Sequence, residues 1–135
     1  MPRRGYRTVA AIAVFAAVSA CGTLAERQDA VSTTAVRFER DLSDRRPESL
    51  CSALAPVTRD ELEQAAEQPC HEAITGEELP AAGAVRHVDV YGGQALVVLE
   101  HDTLFLAHFP TGWKISAAGC TPVPQQPYQC KIKGR

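Results

Sequence analysis

The spacing of apolar residues changes near Pro80, and this change restricts the possible folds more than any other feature of the chain. Before Pro80, apolar residues recur every three or four positions, as they do along one face of an α-helix. After Pro80, apolar and polar residues alternate, which is typical of a β-strand. Helices followed by strands predict an α+β domain whose helices pack on one face of an antiparallel sheet.

Four helices are predicted in the first part of the chain. The first spans residues 29–42, and Pro47 can occupy the first turn of the second, where its missing N–H costs nothing. Thr58 and Glu61 have the spacing of a capping box, so the third helix is expected to begin there. A short fourth helix ends at Gly76. The residues expected on the inner sides of these helices are Val31, Ala35, Phe38, Leu42, Leu50, Cys51, Leu54, Leu62, Ala65, Ala66, Cys70, Ala73 and Ile74.

Four strands and an edge strand are predicted in the second part of the chain. Gly92 and Gly93 form a tight hairpin turn, and the next two connections are also only a few residues long. Because connections this short join antiparallel neighbours, the sheet should be a meander in which each strand pairs with the next. The predicted strands are residues 85–91, 94–100, 103–109, 113–118 and 128–132.

The second and third predicted strands are apolar on both faces, at residues 96–99 and 104–107. An antiparallel sheet with one wet face should alternate more cleanly, so the second face is expected to be covered. The C-terminal tail held by Cys120 and Cys130 is the favoured cover, because it belongs to the same chain. A second copy of the chain, forming a sheet-to-sheet dimer, is the alternative.

The chain contains five cysteines, an odd number. If Cys21 is set aside, Cys51, Cys70, Cys120 and Cys130 form an even set, which in an exported domain indicates two disulfides. Four cysteines allow three pairings. We favour Cys51–Cys70 and Cys120–Cys130, because each pair brackets one local segment. A zinc site is disfavoured, since the sequence has no Cys-x-x-Cys and no paired histidine motif.

The N-terminal residues have the layout of an export signal. Arg3, Arg4 and Arg7 precede an apolar run at residues 8–20, which is too short to cross a bilayer as a helix and ends at Cys21. An ordinary secretory peptide is the plainer alternative, and the arginine pair leaves the twin-arginine export route open. The predicted divisions are a signal peptide at residues 1–20, a tether at 21–28 and a single domain at 29–135.

The segment Val18-Ser19-Ala20-Cys21 resembles the lipobox of bacterial lipoproteins, in which the cysteine receives diacylglycerol and the chain is cut before it. Further residues that carry a resemblance are Leu50, Cys51, Cys70, Phe109, Gly112, Trp113, Cys120, Tyr128 and Cys130. Together with Cys21, they make the chain resemble small actinobacterial lipoproteins of unassigned function. Its helices and meander resemble the NTF2-like, cystatin-like superfold, which implies three to four helices on a curved sheet of four to five strands. The resemblance transfers no catalytic residue, because the superfold hosts enzymes, binding pockets and dimer modules alike.

His87, Asp89 and Tyr91 alternate along one predicted strand, so their side chains project from the same face. A histidine and an aspartate lining a pocket can act as base and acid near neutral pH. An ordinary solvated strand face is the favoured interpretation, which leaves His87 and Asp89 as weak catalytic candidates. His108 lies on an apolar strand face and is expected in the core, as is Trp113.

The composition excludes some classes of function. After removal of the signal, 115 residues with 16 acidic and 11 basic side chains would remain, enough for one small domain without a basic surface for nucleic acid. The leading hypothesis is a non-catalytic lipoprotein on the outer leaflet of the cytoplasmic membrane. It would bind another envelope protein or a small apolar ligand, without a cofactor or metal. The alternatives are a SnoaL-type enzyme or carrier, with a pocket between helices and sheet, and a structural subunit of a membrane complex.

Overall fold

The computed structural model describes residues 22–135, so the predicted signal peptide and the lipidation site Cys21 lie outside the described residues. Four helices are followed by a five-stranded antiparallel sheet, which confirms the α+β prediction. None of the helices in the described part of the chain combines the length and apolarity needed to span a bilayer. The elements are α1 (Leu24–Ser43), α2 (Pro47–Ala53), α3 (Pro56–Ala66), α4 (Cys70–Gly76), β1 (Val85–Tyr91), β2 (Gln94–Leu99), β3 (Thr103–Phe109), β4 (Gly112–Val123) and β5 (Gln126–Lys133).

Helix α1 begins at Leu24, five residues before the predicted start. Thr23 is the N-cap: its hydroxyl accepts a hydrogen bond from the Glu26 amide at 3.2 Å, and the Glu26 carboxylate accepts one from the Thr23 amide at 2.6 Å. This reciprocal capping box satisfies two amides that would otherwise have no partner in the first turn. Residues 24–28, expected to form part of a tether, are therefore helical.

The capping box predicted at Thr58 is wrong. Helix α3 begins two residues earlier, at Pro56, and no side chain caps its N-terminus. Thr58 is buried, and its hydroxyl donates to the Ser116 carbonyl at 2.9 Å, which ties α3 to β4. Fewer residues of α3 face the core than predicted: Leu62 is buried, whereas Ala65 and Ala66 are exposed.

The five strands form a meander in the order β1-β2-β3-β4-β5, as predicted. Strand β4 extends to Val123 because β5 pairs with it from Ala117 to Val123. The C-terminal tail therefore extends the sheet as its edge strand, β5. The prediction that the tail covers the second face of the sheet is wrong. One side chain of the tail does reach over that face: the Tyr128 ring packs edge-on against Phe105, with centroids 5.1 Å apart.

The space between the helices and the sheet is filled with apolar side chains. Along β2, the inward-facing Ala95, Val97 and Leu99 are buried, whereas Leu96 and Val98 on the opposite face are only half-buried. The other large side chains of this core are Val31, Phe38, Leu50, Leu54, Leu62, Ile74, Leu104, Leu106, Trp113, Ile115 and Ile132.

Two disulfides join neighbouring elements, and they are the two pairs favoured on sequence grounds. Cys51–Cys70 links α2 to α4. Cys120–Cys130 links β4 to β5 at positions directly opposite each other in the strand register. Both bonds therefore connect segments that are already in contact.

Candidate functional site

The face of the sheet turned away from the helices is the main functional candidate, and we call it the outer face. Its position follows from the strand register: Leu96 of β2 lies opposite Asp89 of β1 and Phe105 of β3. Side chains at these positions point away from the core, because the residues that alternate with them are buried against the helices. The outer face is formed by His87, Asp89, Tyr91, Gln94, Leu96, Val98, Phe105, Ala107, Ala117 and Tyr128.

The outer face contains a groove of about 610 Å³. Phe105, Ala107 and Phe109 of β3 line it, and Val57 of α3 stands at its side. Tyr128 partly shields Phe105 through its edge-on contact. The sequence therefore predicted the apolar character of this face correctly. The further residues along the groove are Ala55, Thr58, Gln94, Ser116, Ala117, Pro127, Cys130, Lys133, Gly134 and Arg135.

The weak catalytic candidates, His87 and Asp89, also lie on the outer face, near its β1 edge. The His87 Nε2 atom is 2.9 Å from the Asp89 Oδ2 atom, and both side chains are more than half exposed. A pair this exposed is strongly solvated and contributes little to stability. Neither residue lines the groove. The two side chains are thus brought together, but on an open surface that does not enclose a substrate.

Trp113 is buried as predicted, whereas His108 is exposed and its expected place in the core is wrong. The His108 ring stands edge-on to Trp113, with centroids 5.0 Å apart. The Arg27 guanidinium lies 5.7 Å from the centre of the Trp113 ring and donates to the Gly92 carbonyl. A cation over an indole ring is attracted by its π electrons. This cluster therefore holds the start of α1 against the turns β1–β2 and β3–β4.

A second cluster, which sequence reasoning missed, consists of two acidic residues at the opposite end of the sheet. Asp102 is buried, and its carboxylate accepts hydrogen bonds from the amides of Thr103 at 2.7 Å, Cys120 at 2.9 Å and Gly119 at 3.1 Å. Both carboxylate oxygens are thus occupied by backbone groups. Asp102 therefore ties the β2–β3 turn to β4, and its role is structural.

Glu39 of α1 lies half-buried beside Asp102. The pKa of Glu39 is raised to about 7: burial is the largest cause, the charge of Asp102 adds to it, and a hydrogen bond from the Ala82 amide opposes the shift. Burial also raises the pKa of Asp102, against the three amide hydrogen bonds and the charge of Lys131. The signal for Glu39 was present in the sequence, since it lies four residues after Ala35 on the inner stripe of α1.

We expect Glu39 to make stability depend on pH between its ordinary pKa of 4.5 and about 7. In this window an unfolded chain has released the Glu39 proton while the folded chain still holds it, so stability is lost as the pH rises. The Glu39→Gln variant should therefore lose much of this slope and unfold at a higher temperature than the wild type at pH 8. Thermal unfolding followed by circular dichroism from pH 4 to pH 8 measures the effect.

The matched control for this prediction is Asp29→Asn, which removes an exposed carboxylate from the same helix. This variant should keep the wild-type slope. A smaller slope of the same sign should remain in Glu39→Gln, because the pKa of Asp102 is raised as well. An unchanged slope in Glu39→Gln would contradict the shifted pKa.

Residues 22–135 contain no group of three or more histidine, cysteine, aspartate or glutamate side chains placed to hold a metal ion. Comparisons with protein-family models, curated proteins and solved structures gave no significant match to this chain. The functional proposal therefore rests on the geometry of the outer face and on the sequence around Cys21.

Proposed function

We propose that this protein is an exported lipoprotein, anchored through Cys21 to the outer leaflet of the cytoplasmic membrane, that binds another envelope protein through its outer face. The observation that carries the proposal is an apolar groove on the uncovered face of a sheet whose other face is filled. Contiguous apolar surface of this kind is typical of protein contact sites. The proposed fold family is NTF2-like, supported by the order of the helices and the meander.

The composition of the groove supports a protein partner. Aromatic side chains are enriched in protein interfaces, and Phe105, Phe109 and Tyr128 all line the groove. Lys133 and Arg135 lie at its rim, so that an apolar centre is bordered by charge. The two disulfides support export, since cytosolic thiols are normally kept reduced.

A small apolar ligand is the second candidate, because the groove volume of about 610 Å³ lies in the range of ligand sites. The enzyme alternative has less support. It requires a pocket between helices and sheet, where Phe38, Leu106 and Ile115 are each at most 1% exposed. A second copy of this chain on the outer face is a further possible occupant, and the experiment below distinguishes it by mass.

Photo-crosslinking in cells tests the protein contact. A benzoylphenylalanine at position 105 keeps an aromatic ring in the groove, and the same residue at Thr33, on the exposed side of α1, is the matched control. We expect a covalent adduct of defined mass from position 105 and none from position 33. Adding Ala107→Glu, which places a charge in the groove, should lower the adduct roughly tenfold. A tenfold change corresponds to loss of an interface contact worth about 1.4 kcal/mol.

The mass of the adduct identifies the occupant of the groove. An adduct with twice the mass of the chain indicates a dimer of this protein. An adduct of any other mass indicates a different protein. Equal adducts from positions 105 and 33, or no adduct from position 105, would contradict a protein contact through the outer face. Binding of a fluorescent fatty acid that Ala107→Glu abolishes would favour the apolar ligand instead.

A further inference from the structure

The two ends of the sheet differ in charge. The turns that join β1 to β2 and β3 to β4 lie at the same end, and residues 91–94 and 109–112 contain no charged side chain. At the opposite end, the connection between β2 and β3 contains Glu100 and Asp102. The connection between α1 and α2, at residues 44–46, contains one aspartate and two arginines. The two hairpin turns at one end of the sheet are therefore uncharged, whereas the connections at the opposite end carry charged side chains.

The start of α1 lies at the uncharged end. Arg27 donates to the Gly92 carbonyl in the β1–β2 turn, and Gln28 donates to the Val88 carbonyl at 3.4 Å. Two large apolar or aromatic side chains are exposed here: Leu24 is 58% exposed and Tyr91 is 54% exposed. We call Leu24 together with residues 91–94 and 109–112 the hairpin end.

We propose that the hairpin end contacts the surface of a lipid bilayer, with Leu24 and Tyr91 in the interfacial layer. This inference rests on the proposed lipid anchor at Cys21 and adds an orientation of the domain to it. Tyrosine is enriched where membranes meet water, because its ring is apolar and its hydroxyl remains solvated. A leucine side chain gains free energy when it leaves water.

The position of Cys21 leaves the domain little freedom to point another end at the membrane. Three residue steps separate Cys21 from Leu24, and an extended chain spans at most roughly 3.6 Å per residue. The first turn of α1 would therefore lie within about 11 Å of the anchored cysteine. Since this turn is fixed by the Thr23–Glu26 capping box, the anchor is followed at once by rigid structure.

Charged side chains flank the hairpin end: Arg59, Asp60 and Lys114 line a cleft with residues 109–111, and Glu26 and Arg27 lie in the first turn of α1. Lys114 donates to the Ser52 carbonyl at 2.8 Å. Arg27 is engaged by the Gly92 carbonyl and the Trp113 ring. Glu26 is exposed, and its carboxylate accepts a hydrogen bond from the Thr23 amide at the start of the helix. Contact through the opposite end would instead dehydrate Glu100 and the charged residues 44–46, which is costly.

Crosslinking to a photoactivatable lipid tests the orientation with the unaltered protein. The full chain, produced in bacteria and purified with its lipid, is placed in vesicles of phosphatidylglycerol and phosphatidylethanolamine that include a phospholipid carrying a diazirine. After illumination, mass spectrometry locates the lipid adducts in the chain. We expect adducts on Leu24, Tyr91 and residues 109–112, and at least several-fold fewer on residues 44–46 and 100–102.

A pair of substitutions provides the second measurement. Leu24→Asp with Tyr91→Asp changes two exposed side chains and should lower the adducts on residues 109–112 about tenfold. The matched control is Val36→Asp, which adds a charge at another exposed apolar site of α1. This control should leave the adducts unchanged.

The mass of the peptide that contains Cys21 separates this inference from the proposed function. An unmodified Cys21 thiol overturns the lipid anchor and this inference together. An acylated Cys21 with adducts mainly on residues 44–46 or 100–102, or spread evenly over the domain, overturns this inference and leaves the anchor standing. An acylated Cys21 with adducts confined to the hairpin end supports both.

Discussion

Replacing Phe38 with alanine is expected to lower the free energy of unfolding by about 3–5 kcal/mol. Phe38 is 1% exposed and lies on the inner side of α1, among the side chains that fill the space between helices and sheet. Truncation removes its ring from this core and leaves a cavity that the surrounding residues can only partly close. Urea denaturation followed by the fluorescence of Trp113 measures the change.

Val36→Ala is the matched control for this prediction. Val36 lies two positions away on the same helix but is 43% exposed, so its truncation should change stability by less than about 0.5 kcal/mol. A loss below about 1 kcal/mol for Phe38→Ala would indicate that the interior already contains free space. Such a result would revive the alternative of an enzyme or carrier with a pocket between helices and sheet.

Removing the disulfide Cys51–Cys70 should cost about 3 kcal/mol, because the open chain regains the entropy that the closed loop had lost. The two cysteines are 19 positions apart and join α2 to α4, which have seven residues each. Helices this short are not stable alone in water. The double variant Cys51→Ala with Cys70→Ala avoids placing hydroxyls in the core, and urea denaturation without reductant measures its stability.

The second disulfide supplies the comparison. Cys120 and Cys130 are 10 positions apart, so the loop they close is shorter and its entropy contributes about 0.5 kcal/mol less. Strands β4 and β5 also keep their backbone hydrogen bonds without it. Cys120→Ala with Cys130→Ala should therefore be the milder double variant. The reverse order of stability would contradict the assigned role of Cys51–Cys70.

Local patterns in the sequence predicted most elements of the fold, because short turns fix which segments are neighbours. The Gly92-Gly93 turn, for example, places β1 beside β2 without any distant information. Thr58 could not be placed in this way. Its partner is the Ser116 carbonyl, 58 positions away, and the capping pattern gives no sign of such a contact. Likewise, Thr23 and Glu26 form the capping box of α1 before the first residue of the apolar stripe. The stripe alone therefore placed the start of this helix too late.

The extent of β4 was also underestimated, for a related reason. Pro122 has no amide to donate, so it suggests that a strand has ended. In the structure it lies at a shift in the register between Thr121 and Val123, where a proline is tolerated in the ladder. Pairing of Val123 with Gln126 continues the strand past this point.

The sequence predicted the apolar nature of the outer face but not what lies over it. Residues 96–99 and 104–107 are apolar at every position, which is visible without a structure. The edge strand predicted at residues 128–132 is present as β5, but no local pattern indicated that Tyr128 would lie against Phe105 on this face. The Glu39–Asp102 cluster was missed because a charged residue on an inner stripe is ordinarily assigned to solvent.

The strictly sequential order of the strands determines how the domain can assemble as the chain emerges. Each strand pairs with the strand that follows it, so the sheet grows by closing short loops, which is fast. Cys51 and Cys70 both precede β1, and their bond can form before any strand is present. Strand β5 and the bond between Cys120 and Cys130 come last. The helices, the first disulfide and the sheet can therefore form in the order of the sequence, and contacts between helices and late strands, such as that of Thr58 with Ser116, form last.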